Sequence, residues 1–452
     1  MFRLKTINER PVRNGGDFTV NIIQITPGAG KMFCGNCFRD NALVAELRGL
    51  GHEVLMVPLY LPLTLDEEDQ SAGTPLFFNG VNIYLGQGLP LYRRAPGWIR
   101  RMVGSGRVLK WAATRAGKTR AEDVGDLTIS MLRGEEGNQA RELSELIDWL
   151  KTQPRPDIIC LSNSLLLGLA DKLRSELGAP MVCLLQNEAP YIDSMPDGLR
   201  DQVWDIMAAR ARDIDCFIAP SRYYADKMEA RLGVPSNKMQ VIHNGINLDG
   251  FEPAKHPPDP PALGFFSRMC RDKGLDAVVD AFISLRKTNH IPGLKLRIGG
   301  GCGPGDKPFV DELRNRLHAK ALLGDVEFHP NLSRAEKQEF LRSLSVLSVP
   351  AQFGEAYGFY IIEAMAAGVP VVQPHCAAFP ELLKATGGGL TYEPTDRETL
   401  AASLETFLHD PAKARQLGQA GRAAVHKKFS IHTMAQNVVS LFGDLTPDKQ
   451  HS

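Results

Sequence analysis

Features that would assign this chain of 452 residues to a membrane or nucleic-acid-binding class are absent from its sequence. No window approaches about 18 consecutive apolar residues, the length that a membrane-spanning helix needs. The first sixteen residues lack the apolar core of a signal peptide, so we expect a cytoplasmic protein. Basic and acidic residues number 52 each, so we expect no nucleic-acid partner, and any attraction to an anionic surface must be local.

Three nucleotide- and metal-binding motifs are also missing. The loop P-G-A-G-K-M is not a Walker phosphate loop, because Ile25 stands where its first glycine would be and Met32 follows Lys31 in place of serine or threonine. No G-x-G-x-x-G opens a helix in a βαβ unit, which argues against a dinucleotide-dependent dehydrogenase. Cys34 and Cys37 could suggest zinc or redox chemistry, but no second pair lies at ligand spacing. We therefore expect no metal ion.

Short apolar segments alternate with helical segments along the chain, a pattern that predicts parallel sheets with helices on both faces. Five prolines among the eleven residues 251–261 indicate a linker, since proline cannot build a central element. We predict an α/β protein of two Rossmann-like, doubly wound parallel-sheet domains that face each other across a cleft. The first covers 18–250, with an insertion at about 62–153, and the second covers 262–428. Function should lie in the cleft, where the carboxyl ends of the strands meet.

The segment 350–370 carries two carboxylates among residues that otherwise form a buried pattern. The apolar run after Gly358 predicts a buried helix, on which Glu363 has no charged neighbour three or four positions away. Glu355 precedes the first turn, whose free N–H groups favour anionic or hydroxyl-rich ligands. Two acids around a glycine-rich helix start indicate a ligand site. The alternative is that Glu363 pairs with an arginine from elsewhere and Glu355 only caps the helix.

A second candidate loop, S-R-M-C-R-D-K-G, directly follows a predicted strand of the second domain. It carries Arg268 and Lys273, and two cations five residues apart can hold a diphosphate. The alternative is a solvated turn.

Two further loops follow strands of the same domain. The segment 299–305 has five glycines in seven positions, among them Gly301 and Gly303, which permit a close approach of the backbone to a ligand. The segment 329–333, H-P-N-L-S, contains Asn331, and details of this kind select a base or a sugar. We expect these residues to contribute to the same ligand site.

Together these motifs resemble those of the retaining glycosyltransferases of the family 4 type, in group 1, whose two-domain fold is called GT-B. The resemblance covers roughly residues 20 to 430 in family order. Besides the two acids, the cationic loop and the glycine loop, it rests on G-H-E-V at 51–54, A-P-S-R-Y-Y at 219–224 and V-I-H-N-G-I-N at 241–247.

The resemblance implies a nucleotide-diphosphate sugar as donor, carrying UDP, GDP or ADP, with no cofactor and no metal ion. Arg268 and Lys273 would hold the diphosphate, Glu355 the hydroxyl groups of the donor sugar, and Glu363 the ribose hydroxyls. The anomeric configuration would be retained, and the leaving phosphate would help to deprotonate the acceptor. Because charge develops on the departing diphosphate, fixed cations there stabilise the transition state more than the ground state.

The resemblance also assigns roles outside the charged groups. Backbone amides of Tyr357, Gly358 and Phe359 would assist at the helix start, and the first domain would present Gly35 and the acceptor. That acceptor is a glycan, a lipid-linked molecule or a small molecule. The last segment, 429–452, would form a helix that packs back on the first domain.

The first domain departs from the family pattern. Gln186 and Asn163 stand where many relatives carry histidine, and Gln186 can bind a sugar hydroxyl but cannot take a proton. Glu188 could act as an acid or base instead, or it is merely solvated. These departures leave two alternatives open: a nucleotide-sugar-binding protein without turnover, or a phosphorylase or epimerase with the same fold.

The segment 92–120 contains nine lysines or arginines and no acid. One interpretation is a surface that contacts anionic lipid at the inner face of the membrane, or an anionic acceptor. The other is a basic, solvated excursion over the acceptor side, because four glycines interrupt any single helix.

Overall fold

The structure is a computed structural model that describes residues 19–28, 35–61, 65, 67–78, 121–394 and 397–446. The basic segment 92–120, Cys34 and much of the expected insertion at 62–153 lie outside these residues. Among the described helices, none has the length and apolar character needed to cross a bilayer.

The first domain is built on a sheet of six parallel strands in the order β2-β1-β3-β4-β5-β6. Its short aliphatic strands are buried on both faces: Ile23 and Ile25 pack into one core, while Ile22 and Ile158 pack into the other. The strands are β1 (Asn21–Thr26), β2 (Glu53–Pro58), β3 (Ile158–Leu161), β4 (Met181–Leu184), β5 (Cys216–Ala219) and β6 (Met239–Val241). The described helices are α1 (Gly35–Gly49), α2 (Ala121–Leu132), α3 (Ala140–Leu150), α4 (Ala170–Leu177), α5 (Glu188–Asp193), α6 (Asp197–Arg210) and α7 (Arg222–Leu232).

The second domain repeats this plan with strand order β12-β11-β10-β7-β8-β9, again all parallel. The strands are β7 (Ala262–Phe266), β8 (Lys295–Gly300), β9 (Val326–Pro330), β10 (Val346–Leu347), β11 (Val371–Pro374) and β12 (Gly389–Tyr392). The helices are α8 (Leu275–Thr288), α9 (Lys307–Ala319), α10 (Arg334–Arg342), α11 (Phe359–Ala366), α12 (Phe379–Thr386), α13 (Arg397–His409) and α14 (Pro411–Lys428). Two parallel sheets flanked by helices confirm the predicted fold class.

The end of the chain crosses back to the first domain. A parallel bridge pairs Ile246 with Ser430, and α15 (Ile431–Leu445) follows directly. Met434 and Phe442 of α15 are buried in the same core as Leu43 of α1. The last described helix is therefore part of the first domain's core, although its sequence follows the second domain.

Candidate functional site

The loop before α11 lies between the two domains and is fixed by both. Ser221 Oγ donates a hydrogen bond to the carbonyl oxygen of Ala356 at 2.6 Å, and the Ala356 N–H donates to Asn187 Oδ1 at 3.1 Å. The hydroxyl of the buried Tyr357 donates to the carbonyl oxygen of Asn244 at 2.5 Å. Three groups of the first domain thus hold two residues of the second. The side chain of Tyr357 has an interdomain structural contact, besides the backbone role expected from the sequence.

Two helix starts face each other across this point. Gly358 precedes α11 with φ +100°, a conformation that residues with a side chain rarely adopt. Gly35 opens α1, and a Cβ placed on it would lie 3.6 Å from the ring of Phe359. Gly35, Gly358 and Phe359 therefore lie together at the interface of the two domains. N–H groups at helix starts have no intrahelical partner, so they can receive a ligand that carries negative charge or hydroxyl oxygens.

Lys273 and Glu355 form an ion pair at the mouth of the second domain. Lys273 Nζ lies 2.6 Å from Glu355 Oε1, and only 13% of the Glu355 side chain is exposed. The loops that carry them are packed tightly, since a Cβ on Gly274, which has φ +73°, would lie 2.1 Å from the carbonyl oxygen of Pro350. The cationic loop after β7 and the acidic loop after β10 thus form one surface, and Lys273 is not a solvated turn residue.

Arg268 is oriented by hydrogen bonds to the buried carboxylate of Asp306. Its Nε and Nη2 donate to Asp306 Oδ1 at 3.0 and 2.8 Å, while 65% of the Arg268 side chain stays exposed toward solvent. Burial opposes ionisation of Asp306, but hydrogen bonds from Arg268 and from the Gly303 N–H outweigh it and lower the pKa of that carboxyl. The hydrogen bond to Asp306 raises the pKa of Arg268 in return. Arg268 is therefore oriented and charged, with part of its surface available to an anion.

The glycine loop lies directly behind Arg268. Gly300 has φ +120°, and a Cβ there would lie 2.0 Å from the carbonyl oxygen of Ser267. The Met269 N–H donates to the carbonyl oxygen of Gly301 at 2.7 Å. Asn331 fixes the same loop, because its side chain accepts from the Cys302 N–H at 3.0 Å and donates to the Cys302 carbonyl oxygen at 3.2 Å. Asn331 thus holds the backbone of the glycine loop in place through its side chain.

Glu363 has a partner that the sequence did not identify. Lys337 Nζ, on α10, lies 2.8 Å from Glu363 Oε1, and about 15% of each side chain is exposed (16% and 15%). The expectation of an outside partner for Glu363 is correct, but the alternative that this partner is an arginine is wrong. Lys337 lies 26 residues before Glu363 on another helix, so no local pattern could have singled it out.

The first domain contributes Gln186, whose amide Nε2 donates to the carbonyl oxygen of Ser162 at 2.8 Å. Glu188 is buried and accepts from the N–H groups of Ser164 and Gln186, each at 2.9 Å, and from the Tyr224 hydroxyl at 2.8 Å. Burial, and then the Glu188 charge, raise the pKa of Tyr224. Of the two alternatives for Glu188, the solvated one is wrong: the carboxylate is buried and ties together the loops after β3 and β4. Asn163 likewise accepts from the Leu165 N–H at 3.0 Å, as a cap.

A buried ion pair in α1 was also missed. Arg39 and Asp40 are 3% and 0% exposed, and Arg39 Nε donates to Asp40 Oδ1 at 3.0 Å. Asp40 also accepts from the Thr26 hydroxyl at 2.9 Å and from the Ser162 hydroxyl. Since the Ser162 carbonyl oxygen also accepts from Gln186, one network links α1, β1 and the loops after β3 and β4. Adjacent opposite charges inside an otherwise buried helix were the available signal.

Glu381 of α12 is a further interdomain residue. Its carboxylate accepts from the backbone N–H groups of Arg222 and Tyr223 at 2.9 and 3.2 Å. These are first-turn N–H groups of α7, so an acid of one domain caps a helix of the other. Cys37, by contrast, lies buried in α1, where it is a core residue.

In chemical terms, the second domain presents three cation–carboxylate pairs: Arg268 with Asp306, Lys273 with Glu355, and Lys337 with Glu363. Cations of this kind bind phosphate oxygens, and carboxylates of this kind accept from hydroxyl groups. A ligand with a diphosphate and several hydroxyls could exchange partners with each pair. On the first domain, by contrast, Arg39, Asp40 and Glu188 are buried and are each held by several hydrogen bonds within that domain.

Comparison with known proteins agrees with this geometry. Residues 249–424 match the family "Glycosyl transferases group 1", and residues 107–249 match "Glycosyltransferase Family 4". The chain is 31% identical over 252 residues to the lipopolysaccharide core biosynthesis mannosyltransferase LpsB of Rhizobium meliloti. The matched region covers 52% of this chain and 67% of LpsB. The chain spans only 29% of the length of one curated relative and 69% of the length of another.

Two solved structures share the overall fold. Sucrose-phosphate synthase from Thermosynechococcus elongatus superposes with a TM-score of 0.70 at 20% identity, over 95% of this chain and 100% of that one. Anabaena Alr3699/HepE, in complex with UDP and glucose, superposes with a TM-score of 0.66 at 16% identity, over 94% of this chain and 100% of that one.

Proposed function

Because the chain belongs to the group 1 glycosyltransferases, of the family 4 type, we propose that it transfers a sugar from a nucleotide-diphosphate sugar to an acceptor with retention of the anomeric configuration. The observation that carries the proposal is the contact of the cationic loop with the acidic loop, Lys273 Nζ to Glu355 Oε1 at 2.6 Å, beside the start of α11. Cations for a diphosphate and carboxylates for hydroxyl groups lie side by side there, as such a donor requires.

The donor is a UDP, GDP or ADP sugar held mainly by the second domain. Arg268, which is exposed and oriented by Asp306, and Lys273 bind the diphosphate. Glu355 accepts hydrogen bonds from the donor sugar, and Glu363 accepts them from the ribose. Binding of UDP and glucose by Anabaena HepE supports a donor of this class, and UDP sugars are the first to test.

In the reaction, the bond from the anomeric carbon to the diphosphate oxygen breaks, and a bond from the same carbon to the acceptor oxygen forms on the same face. The acceptor's hydroxyl proton passes to the leaving phosphate. Arg268 and Lys273 stabilise the charge that grows on that phosphate. Gln186 already uses its amide N–H on Ser162, so its carbonyl oxygen is the atom that can accept from a sugar hydroxyl. Gln186 is therefore a positioning group in this scheme.

The acceptor is a glycan, a lipid-linked molecule or a small molecule. The first domain presents it next to Gly35, at the start of α1. Contact with an anionic membrane surface would rest on 92–120, which lie outside the described residues.

Nucleotide release by purified protein tests the proposal. A thermal-shift panel of UDP, GDP and ADP sugars first identifies the donor, because a tight donor raises the melting temperature by mass action. Glu355→Ala and Lys273→Ala should then each abolish nucleotide release and leave the fold intact. Glu145→Gln is the matched control, since it removes one partner of an exposed ion pair with Arg141. Full activity in either cleft variant would refute the proposal.

The same assay separates the alternatives. Asn163 and Gln186 cannot take a proton and Glu188 is buried with three hydrogen bonds from the protein, which favours a binding protein as the second candidate. A donor that raises the melting temperature but releases no nucleotide with any acceptor supports that candidate. Release of sugar phosphate when inorganic phosphate replaces the acceptor supports a phosphorylase, and a change of the donor sugar's stereochemistry supports an epimerase.

A further inference from the structure

Three side chains with metal-binding atoms converge on the surface of the second domain, away from the cleft. Glu405 and His409 lie one turn apart on α13, and His290 follows the end of α8. His290 Nδ1 lies 2.8 Å from Glu405 Oε1, and His409 Nε2 lies 3.3 Å from the same oxygen. All three candidate ligand atoms lie within 4.8 Å of one another, and no other such group of three occurs in the part of the chain that the structure describes.

The backbone around these side chains is fixed. Asn289 ends α8 in a left-handed conformation with φ +54°, which turns the chain so that His290 lies beside α13. Leu285 of α8 and Leu404 and Leu408 of α13 are buried in one core. The three polar side chains are therefore brought together by elements that the core already holds, which lowers the entropy cost of binding an ion.

We propose that His290, Glu405 and His409 bind one Zn²⁺ ion, with water as a fourth ligand. Imidazole nitrogen and carboxylate oxygen are ligands that zinc accepts at about 2.0–2.2 Å, so ligand atoms of a tetrahedral site lie about 3.3 Å apart. The distances of 2.8 and 3.3 Å to the Glu405 oxygen already approach that spacing. On binding, the ion takes the place of the imidazole protons that face Glu405, and those protons go to solvent.

Other histidine–carboxylate pairs in the chain differ from this cluster in the number of imidazoles that face one carboxylate. His432 Nδ1 lies 2.7 Å from Glu46 Oε1, and His329 Nε2 lies 3.2 Å from Glu327 Oε2, but each of these pairs offers a single imidazole. The cluster at Glu405 offers two. Both its imidazoles are about half exposed, at 61% and 49%, so an ion can enter without any opening of the fold.

The zinc site is separate from the reaction centre. Helix α8 begins at Leu275, directly after the loop that carries Lys273, and it ends just before His290. Its 14 residues span about 21 Å, at about 1.5 Å per residue. The ion would therefore tie the end of α8 to α13 and stabilise the domain, without taking part in sugar transfer.

Zinc titration tests the site with full-length protein that carries no histidine tag and has been treated with chelator and dialysed. Isothermal titration and metal analysis should show saturable zinc binding, with a rise in melting temperature that Mg²⁺ does not reproduce. His290→Ala and His409→Ala should each lose one zinc equivalent and that rise. His432→Ala is the matched control and should keep both, because its partner Glu46 faces a single imidazole and so forms no three-ligand group.

Two results would overturn the proposal. One is zinc stoichiometry that is the same in wild type, His290→Ala and His409→Ala. The other is the absence of saturable zinc binding by the wild-type chain. Neither result depends on glycosyl transfer, so failure of the zinc site and failure of the proposed activity can be told apart.

Discussion

The two sides of the cleft use charged residues in different ways. On the second domain, Lys273, Arg268 and Lys337 are partly exposed, and each pairs with a carboxylate of another loop or helix. On the first domain, Asp40 is fully buried and Glu188 nearly so, and both are held by several donors. The partly exposed cations of the second domain can reach a ligand from the cleft, whereas a buried carboxylate that loses its donors is strongly destabilised. One side is built to rearrange and the other to stay fixed.

The largest effect is expected from Asp40→Ala. This change leaves the buried Arg39 guanidinium without its carboxylate and also removes the acceptor for Thr26. The loss of unfolding free energy should be about 3–5 kcal/mol, measured by urea denaturation. Asp226→Ala, at an exposed pair with Arg222, is the control and should change it by less than about 1 kcal/mol. Equal stability of the two variants would contradict the contrast between the sides.

The same substitution made on both sides separates stability from binding. Glu188→Gln replaces two carboxylate oxygens that accept three hydrogen bonds by one acceptor and one donor, and should cost about 2 kcal/mol of unfolding free energy. Glu363→Gln should cost less than that, because it weakens one hydrogen bond and not three, and should instead raise the donor KM by about tenfold or more, because the acceptor proposed for the ribose loses its charge. Thermal unfolding and donor titration of both variants measure the difference. A larger stability loss in Glu363→Gln would reverse the assignment of roles.

A smaller effect is expected from Lys337→Met. Methionine keeps the buried length of the side chain but leaves Glu363 without its cation. The donor KM should rise by about fivefold with kcat nearly unchanged. In the proposed scheme the lysine orients Glu363, which binds the ribose, and does not touch the reacting atoms. Lys172→Met, at a surface pair with Glu176, is the control. A fall in kcat at constant KM would place Lys337 in the chemistry.

The smallest effect concerns pH. The pKa of Asp306 is lowered in the folded protein, so the stability it contributes is present above the ordinary value of 3.8 and is lost as pH falls through the lowered value. Asp306→Asn should therefore reduce the decrease of unfolding free energy between about pH 5 and pH 3. Denaturation at several pH values in wild type and variant measures this slope. An unchanged slope would mean that Arg268 does not stabilise the ionised carboxylate.

Local sequence patterns were sufficient to predict the fold and to single out the two acids, Glu355 and Glu363. The alternation of apolar and helical segments defines both sheets, and Glu355 and Glu363 stand out because their own neighbours are apolar. Their partners could not be found in this way: Lys273 lies 82 residues from Glu355, and Lys337 lies 26 residues from Glu363. Only the topology brings them together.

The interpretation of Glu188 as a solvated residue failed for a related reason. A loop glutamate among polar residues gives no sign that three donors from different elements surround it. Burial of a loop depends on what packs over it, and that information is distributed along the chain.

The bridge between Ile246 and Ser430 has a mechanical consequence. The chain passes from one domain to the other on both sides of this bridge, and the Ile246 N–H to Phe429 carbonyl and Ile431 N–H to Ile246 carbonyl hydrogen bonds, at 3.0 and 2.8 Å, join the two crossings. Two crossings bound side by side restrain sliding of the domains and leave rotation about that point as the easy movement. The hydrogen bonds between the domains at Ala356, Tyr357 and Glu381 then limit the rotation, because opening the cleft further would break them.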